Sequence, residues 1–533
     1  MLELTRKVMQ APLTRKWLAE AGWLVLSLTM VVPLWVIAYP PLQDFPQHVA
    51  TARVLASYSD PSFGFSRYFE PNLATQYLVP PLAGALLTWL VGPLTACKLL
   101  LSAGIAASSY AMRSLLSSLA APRIYALFVL PLTYNSQLGL GFLSFVMAVP
   151  LMLWGLALSV RLSSEFHRGH AVLLGVVSVV CLYTHLVPYG VLILGAGVVF
   201  VSRDLVQIAR RALPLLPSLL LALFGTAGSS LLSAGLFGEE QAHCPVYDET
   251  SLLLASIPHW LTDILHSSLD EQLLVVWVLW WLLVLIVGLH FGNTRASPRR
   301  LKLALGFPLL LALYFVMPRT ACNLAWPVHA RFLVLAAFVA PLVLPDVPRW
   351  CRSATAGILG GLIVVGANNL TKEFRAFEKN EVGDFREAIS SIPMGQRVAS
   401  LIFHHRSSTV RWAAFLHYGA LCQASRGGAV LYSFADLPWW PVRLRSELGA
   451  PSPSWNFMYN PVAVNPFLEL RWYDYVLARG GPGQLPQTPL LQPVYSGSFW
   501  SVFKVVRPGE PVPGAVPAGN ISGTYGSYGV GSN

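Results

Sequence analysis

The sequence predicts a mainly α protein: a polytopic transmembrane helical bundle with a small extracytoplasmic α/β domain at its C-terminal end. Three observations carry this. The 533 residues are 55% hydrophobic and only 11% charged, against about 25% charged in an average soluble domain. Stretches such as 22–39 (GWLVLSLTMVVPLWVIAY) and 273–289 (LLVVWVLWWLLVLIVGL) hold no charged side chain and approach the ~20 apolar residues that cross a hydrocarbon core. From Lys372 the long apolar runs give way to short segments of alternating helix and strand periodicity.

The stretch from 22 to 369 accommodates about 10 to 12 such spans. The first run follows Arg6, Lys7, Arg15 and Lys16, so a cleaved signal peptide is the rival reading. It is too long for an h-region and no A-x-A-like site follows, so a span is expected. Basic clusters at Arg6–Lys16, Arg161–Arg168, Arg203–Arg211, Arg295–Lys302 and Arg349–Arg352 are expected on the cytoplasmic side. Alternation then places loops 40–76, 238–271 and 319–328 outside, with the C-terminal domain. The net charge of +11 is accounted for by these loops, and no nucleic-acid partner is expected. One ambiguity stands between Tyr77 and Met112: two crossings fit, yet Arg113 and Arg123 would then face outward. Either one segment is re-entrant or one basic pair lies outside.

Expected domains are therefore 1–371 in the membrane, 372–510 as the α/β unit, and a Gly/Ser-rich disordered tail at 511–533. In loop 40–76, PQHVATARVLASYS reads as a helix along the interface, with Pro46 suited to its first turn. In loop 238–271, an amphipathic helix is expected over Ser251–His266. In the α/β unit, DFREAISSI and TVRWAAFLHYGALCQA read as helices, and QRVASLIF, GGAVLYSF, YDYVLARG and FWSVFKVV as strands. Six cysteines do not make a disulfide framework, though Cys244 and Cys322, both in outer loops, could form one bridge in an oxidising compartment.

Ionisable residues at membrane depth are costly and so are functional candidates. Here they gather on the outer side: Asp44 and His48 after the first span, Glu239 and Glu240 in the second excursion, Arg319 and Arg331 around the third outer loop, and His185 at the end of a span. Each has a plainer reading: a helix cap for Asp44, a core histidine for His185, snorkelling for Arg331, loop solvation for the glutamates. Capping does not explain His48, one turn after Asp44 on the same helix face. C-x-x-C, H-E-x-x-H, Walker and G-x-S-x-G patterns are lacking. The sequence establishes no cofactor; a divalent metal on Asp44 and His48 stays open, with no third ligand in view. In the C-terminal domain His404, His405 and Arg406 read as a solvated tip, and WYDYVLARG as a core strand.

A basic N-terminus, one span, an outer loop opening on QDFPQH, many further spans and a terminal soluble domain together resemble the GT-C superfamily of polytopic glycosyltransferases. The resemblance covers 1–370 as architecture. It implies an integral protein of the bacterial inner membrane, with the N-terminus cytoplasmic and the C-terminal domain extracytoplasmic. It also implies an enzyme that moves a sugar from a polyprenyl-phosphate-linked donor to a lipid, glycan or protein acceptor on the outer face, with inversion. Asp44 would be the catalytic carboxylate and His48 its partner, with Arg331, Arg319, His185, Glu239 and Glu240 contacting substrate or phosphate. A clear D-x-D is absent from the loop. The alternatives are a transporter or flippase, or a non-catalytic subunit of a cell-envelope polysaccharide assembly.

Overall fold

The computed structural model describes residues 12–228, 245–262, 264–292, 297–321, 326–437, 439–448, 458–464, 469–480, 485 and 488–507. Glu239, Glu240, Cys244, Cys322 and the tail from 511 lie outside them. Among the described residues, five helices are long and apolar enough to cross a membrane, and six shorter apolar helices accompany them. The elements that build the site are α1 (Pro12–Thr29), α2 (Phe45–Ala56), α3 (Val79–Val91), α4 (Pro93–Ser118), α5 (Leu143–Ser164), α6 (Arg168–Thr184), α7 (Leu186–Phe200), α8 (Leu269–Phe291), α9 (Val328–Val339) and α10 (Arg349–Phe377). Their close approach uses small residues: a Cβ on Gly104 of α4 would stand 3.1 Å from a Val146 methyl of α5.

Polar contacts sort the helix ends into two sets. At one end Arg113 donates to both carboxylate oxygens of Glu20, one at 2.6 Å. There Arg161 reaches Ser114 Oγ at 2.7 Å, Arg299 the Ser163 carbonyl at 3.2 Å and Lys302 the Val201 carbonyl at 3.2 Å. Arg300 joins the same end through the carbonyls of Leu342 and Leu344 and the Asp346 carboxylate. The start of α5 and the α6–α7 junction lie at the opposite end, because each helix runs away from this basic one. Asp44 and the C-terminal domain are found there.

The stretch between Tyr77 and Met112 holds two apolar helices of unequal length, and only α4 is long and apolar enough to cross. The 13 residues of α3 extend only about 20 Å, short of the ~30 Å hydrocarbon core. The helix instead lies along α2: Trp89 Nε1 donates to the Ala56 carbonyl at 2.8 Å, and Gly84 faces the Ala52 methyl. One crossing, α4, then returns Arg113 to the basic end.

Beyond α10, whose last residues run past the expected boundary at 371/372, the chain adds α11 (Phe385–Ser390) and α12 (Tyr418–Arg426). Its strands are β2 (Arg397–Ile402), β3 (Ala429–Val430), β4 (Val442–Leu444), β5 (Tyr475–Arg479), β6 (Leu491–Ser496) and β7 (Trp500–Val505), with β1 (Phe69–Pro71) contributed by loop 40–76. Five make one mixed sheet in the order β3-β2-β5-β7-β6; β2 is parallel to β3 and β5, and β7 is antiparallel to β5 and β6. Within WYDYVLARG, expected as a core strand, Tyr475–Arg479 forms a largely buried strand at the centre of the sheet. The sixth, β4, pairs antiparallel with β1, Glu70 opposite Arg443. Loop 40–76 is thereby sewn to the C-terminal domain.

Three expected elements differ. Of the helix expected over 409–424 only 418–424 is helical, as part of Tyr418–Arg426. Ser407 Oγ accepts from the Thr409 and Val410 amides, and Arg411 N donates to the Ile264 carbonyl, so the preceding residues bridge to the second excursion instead. The helix expected over Ser251–His266 breaks into Thr250–Ala255 and Ile257–Leu261; Pro258 has no amide to continue the first piece. GGAVLYSF keeps only two strand residues, since Tyr432 turns to φ +59°. The edge strand β6 was not expected. Pro493 beside a register shift hides its pattern, and an edge is where a strand tolerates proline.

Candidate active site

Asp44 enters the site on a backbone held from both sides. Gln43 N donates to the Gly139 carbonyl at 3.1 Å and Asp44 N to the Leu140 carbonyl at 2.9 Å. Gly141, at φ +80°, packs directly on this strip: a Cβ there would stand 2.5 Å from Phe45 N and 2.7 Å from Asp44 N. Helix α2 starts at Phe45 with Pro46 in its first turn. Asp44 occupies the N-cap position, but its side chain makes no cap hydrogen bond. The plain capping explanation therefore fails on geometry.

The carboxylate is buried, with 11% of its side chain exposed, and turns toward the C-terminal domain. Its Oδ1 stands 3.3 Å from His417 Nε2 and accepts from Gln43 Nε2 at 3.3 Å. Tyr459 lies close enough for its phenol to be raised, by desolvation first and by the Asp44 charge second. His405 packs edge-on against that ring at 5.7 Å between centroids, so the expected solvated tip is in part a wall of this site. Gln47 completes the floor. Its carbonyl accepts from Phe434 N at 3.1 Å, and its amide nitrogen faces the Tyr432 carbonyl at 2.9 Å and His417 Nδ1 at 3.1 Å.

His48 shares the helix but not this hydrogen-bonded set. It is 5% exposed and packs against Trp440 at 5.3 Å, and its Nδ1 has no partner among the described residues. Burial, opposed by the nearby Asp44 charge, pushes its pKa down to about 4. His48 is thus a neutral imidazole behind the carboxylate.

A second group lies across the Gly139–Phe142 loop. The Arg331 guanidinium sits over the Phe142 ring at 5.4 Å and donates to the Trp326 carbonyl at 3.3 Å. Its residue is 8% exposed, its Nε has no partner, and no carboxylate pairs with it among the described residues. His185 caps α7 through Val187 N at 3.2 Å and packs edge-on against Phe145 and Tyr77; it lies near enough to Arg331 for the two to interact electrostatically. The Gly139–Phe142 loop thus touches both groups: Gly141 packs on the Asp44 backbone and the Phe142 ring lies against the Arg331 guanidinium.

Arg319 stands apart, ion-paired to Asp248 at 3.1 Å with 43% of its side chain exposed; His329 approaches the same carboxylate at 3.9 Å. No cluster of three or more His, Cys, Asp or Glu side chains is found among the described residues. An apolar hollow of about 400 Å³ lies between α4 and α5, lined by Gly104, Met147, Pro150 and Trp154. It has no carboxylate, histidine or basic side chain, so volume alone does not mark the chemistry. Gln47, His417 and Tyr459 were not foreseen. Gln47 stands inside QDFPQH and could have been weighed, whereas nothing in the sequence brings residue 417 to residue 44.

The fold defines the class: a polytopic membrane protein whose helical bundle carries a C-terminal α/β domain. Neither a protein-family model nor a curated protein matches the sequence. Among solved structures, the chain is similar to the arabinofuranosyltransferase AftD from Mycobacteria, with a TM-score of 0.50 at 12% identity, over 92% of this chain and 41% of that one. This chain thus spans well under half the length of AftD. It also aligns with ArnT from Cupriavidus metallidurans in the apo state, at TM-score 0.49 and 12% identity over 91% of this chain and 98% of that one. The ArnT structure bound to undecaprenyl phosphate gives TM-score 0.48 and 11% identity, over 92% and 98%.

Proposed function

We propose that this protein is a membrane glycosyltransferase that moves a sugar from a polyprenyl-phosphate-linked donor to a hydroxyl acceptor at the non-basic face of the membrane. The observation that carries the reading is the buried Asp44 carboxylate, which stands at a cap position without capping and faces the junction of bundle and C-terminal domain. AftD, which shares the fold, is named as an arabinofuranosyltransferase, which fits the same reading.

In the proposed reaction the acceptor oxygen attacks the anomeric carbon and its proton passes to Asp44. The bond from that carbon to the phosphate oxygen breaks, the electron pair leaving on the phosphate. Attack opposite the leaving group inverts the centre. A positioned carboxylate contributes typically 10²–10⁴-fold to such a step. Arg331 is the candidate cation for the leaving phosphate: a buried guanidinium without a carboxylate is costly unless an anion joins it, and its fork suits phosphate oxygens. Arg319 already has Asp248, so its proposed part is peripheral. His185 would orient near Arg331, and His48 would back the carboxylate as a neutral ring. The roles of Glu239 and Glu240 remain those the sequence suggests. With the basic end cytoplasmic, the site faces outward in a bacterial inner membrane.

The test is reconstitution in liposomes with a panel of labelled polyprenyl-phosphate sugars. Release of polyprenyl phosphate with glycosylated product supports the enzyme. Translocation of the labelled lipid without transfer would support a flippase, and neither activity a scaffold.

A further inference from the structure

The contacts around Gln47 fix the tautomer of His417, and with it the part that the C-terminal domain plays at Asp44. Gln47 is held by two backbone groups of opposite kind. Phe434 N–H points at one end of its amide and the Tyr432 carbonyl at the other, at 3.1 and 2.9 Å. Reversing the amide would set N–H against N–H and oxygen against oxygen, so the nitrogen is the atom that faces Tyr432 and His417. At 3.1 Å from His417 Nδ1, that nitrogen can only donate. Nδ1 is therefore the acceptor of the ring, and its proton resides on Nε2, which points at Asp44 Oδ1 from 3.3 Å. Gln43 Nε2 donates to the same oxygen. Oδ2 has no hydrogen bond among the described residues.

We infer that His417 is a positioning residue: a neutral imidazole, locked by Gln47 into its Nε2–H form, that holds Oδ1 of Asp44 and leaves Oδ2 to take the acceptor's proton. His417 does not itself receive that proton, because a second proton on Nδ1 would confront the Gln47 N–H. The C-terminal domain thus completes the active site. His417 is buried, 4% exposed, and the next residue, Tyr418, stacks its ring on Trp500 at 5.7 Å between centroids. The inference rests on the reading of Asp44 as the catalytic carboxylate.

The experiment compares His417→Gln, His417→Leu and Asp44→Asn in the full-length protein, in liposomes with a labelled polyprenyl-phosphate sugar. A glutamine keeps an N–H donor near the place of Nε2 and cannot titrate. His417→Gln is expected within about tenfold of wild type with an unchanged pH profile, and His417→Leu about 10²-fold down in kcat with little change in donor KM. Equal losses in both variants, or loss of one limb of the pH profile in His417→Gln, would overturn the proposal in favour of a proton-accepting histidine. Full activity in His417→Leu would overturn it outright. A second readout does not need activity. Solid-state ¹⁵N spectra of histidine-labelled protein, assigned by difference against His417→Gln, are expected to give an unprotonated Nδ1 and a protonated Nε2. The opposite tautomer or an imidazolium would contradict the proposal even if transfer were absent, whereas a fully active Asp44→Asn would instead remove the catalytic reading of Asp44.

Discussion

Gly141 lies against the backbone of Asp44 so closely that a single methyl group on it would stand 2.7 Å from the Asp44 amide nitrogen. The loop before α5 is thus the mould in which the carboxylate is cast. Gly141→Ala meets this contact and also the left-handed φ of +80°, a conformation that costs a non-glycine residue roughly 1–2 kcal/mol. Transfer activity is expected to fall by more than tenfold with a thermal midpoint lower by a few degrees. Wild-type activity in this variant would show that the loop does not set Asp44.

The two arginines are expected to separate. Arg331 is buried with no carboxylate partner among the described residues, while Arg319 is half in solvent on Asp248. Arg331→Lys removes a bidentate fork and is expected to raise the donor KM at least tenfold. Arg319→Lys is expected to change it less than threefold, since exposed ion pairs contribute ~0–1 kcal/mol. Steady-state kinetics with varied donor decides; equal effects would place the phosphate elsewhere.

His48 gives a pH signature in stability. Its folded pKa is near 4 against an ordinary value of 6.5, so between these the unfolded chain binds the extra proton. Stability from this group is complete above pH 6.5 and is lost as the pH falls toward 4, by about 3 kcal/mol in all. Thermal unfolding of the wild type and His48→Gln in detergent from pH 7.5 to 4 checks it. The mutant curve is expected to be flatter across that window; parallel curves would exclude His48 as the source.

Val246 and Thr320 form an antiparallel bridge, two residues from Cys244 and Cys322 respectively. The disulfide expected from the sequence is therefore proposed again. Peptide mapping without reductant should recover the two cysteines in one linked pair, whereas free thiols at both positions would reject it.

The membrane architecture was legible because the hydrophobic runs are long and the basic residues mark one face. That reading stalled at 77–112 because α3 is as apolar as a span while lying along α2, and apolarity does not encode direction. QDFPQH drew attention through the chemistry of its residues, and the structure buries its Asp44 and His48. The partner of Asp44 was not legible: residues 409–411 leave the expected helix to bridge 264–266, and His417 meets Asp44 through a tertiary contact that local periodicity does not encode. The sequence offers no signal for the role of Gln47, whose contacts depend on Tyr432 and Phe434 lying beside it.

The central claim is that the Oδ2 of Asp44 takes the acceptor's proton during transfer from a lipid-linked sugar. Its most direct test is Asp44→Asn, purified and reconstituted beside the wild type, with transfer measured from a labelled polyprenyl-phosphate sugar and unfolding measured in parallel. The account predicts a loss of at least 10²-fold in transfer with donor binding and thermal midpoint close to wild type. Transfer at the wild-type rate by the folded Asp44→Asn protein would contradict it.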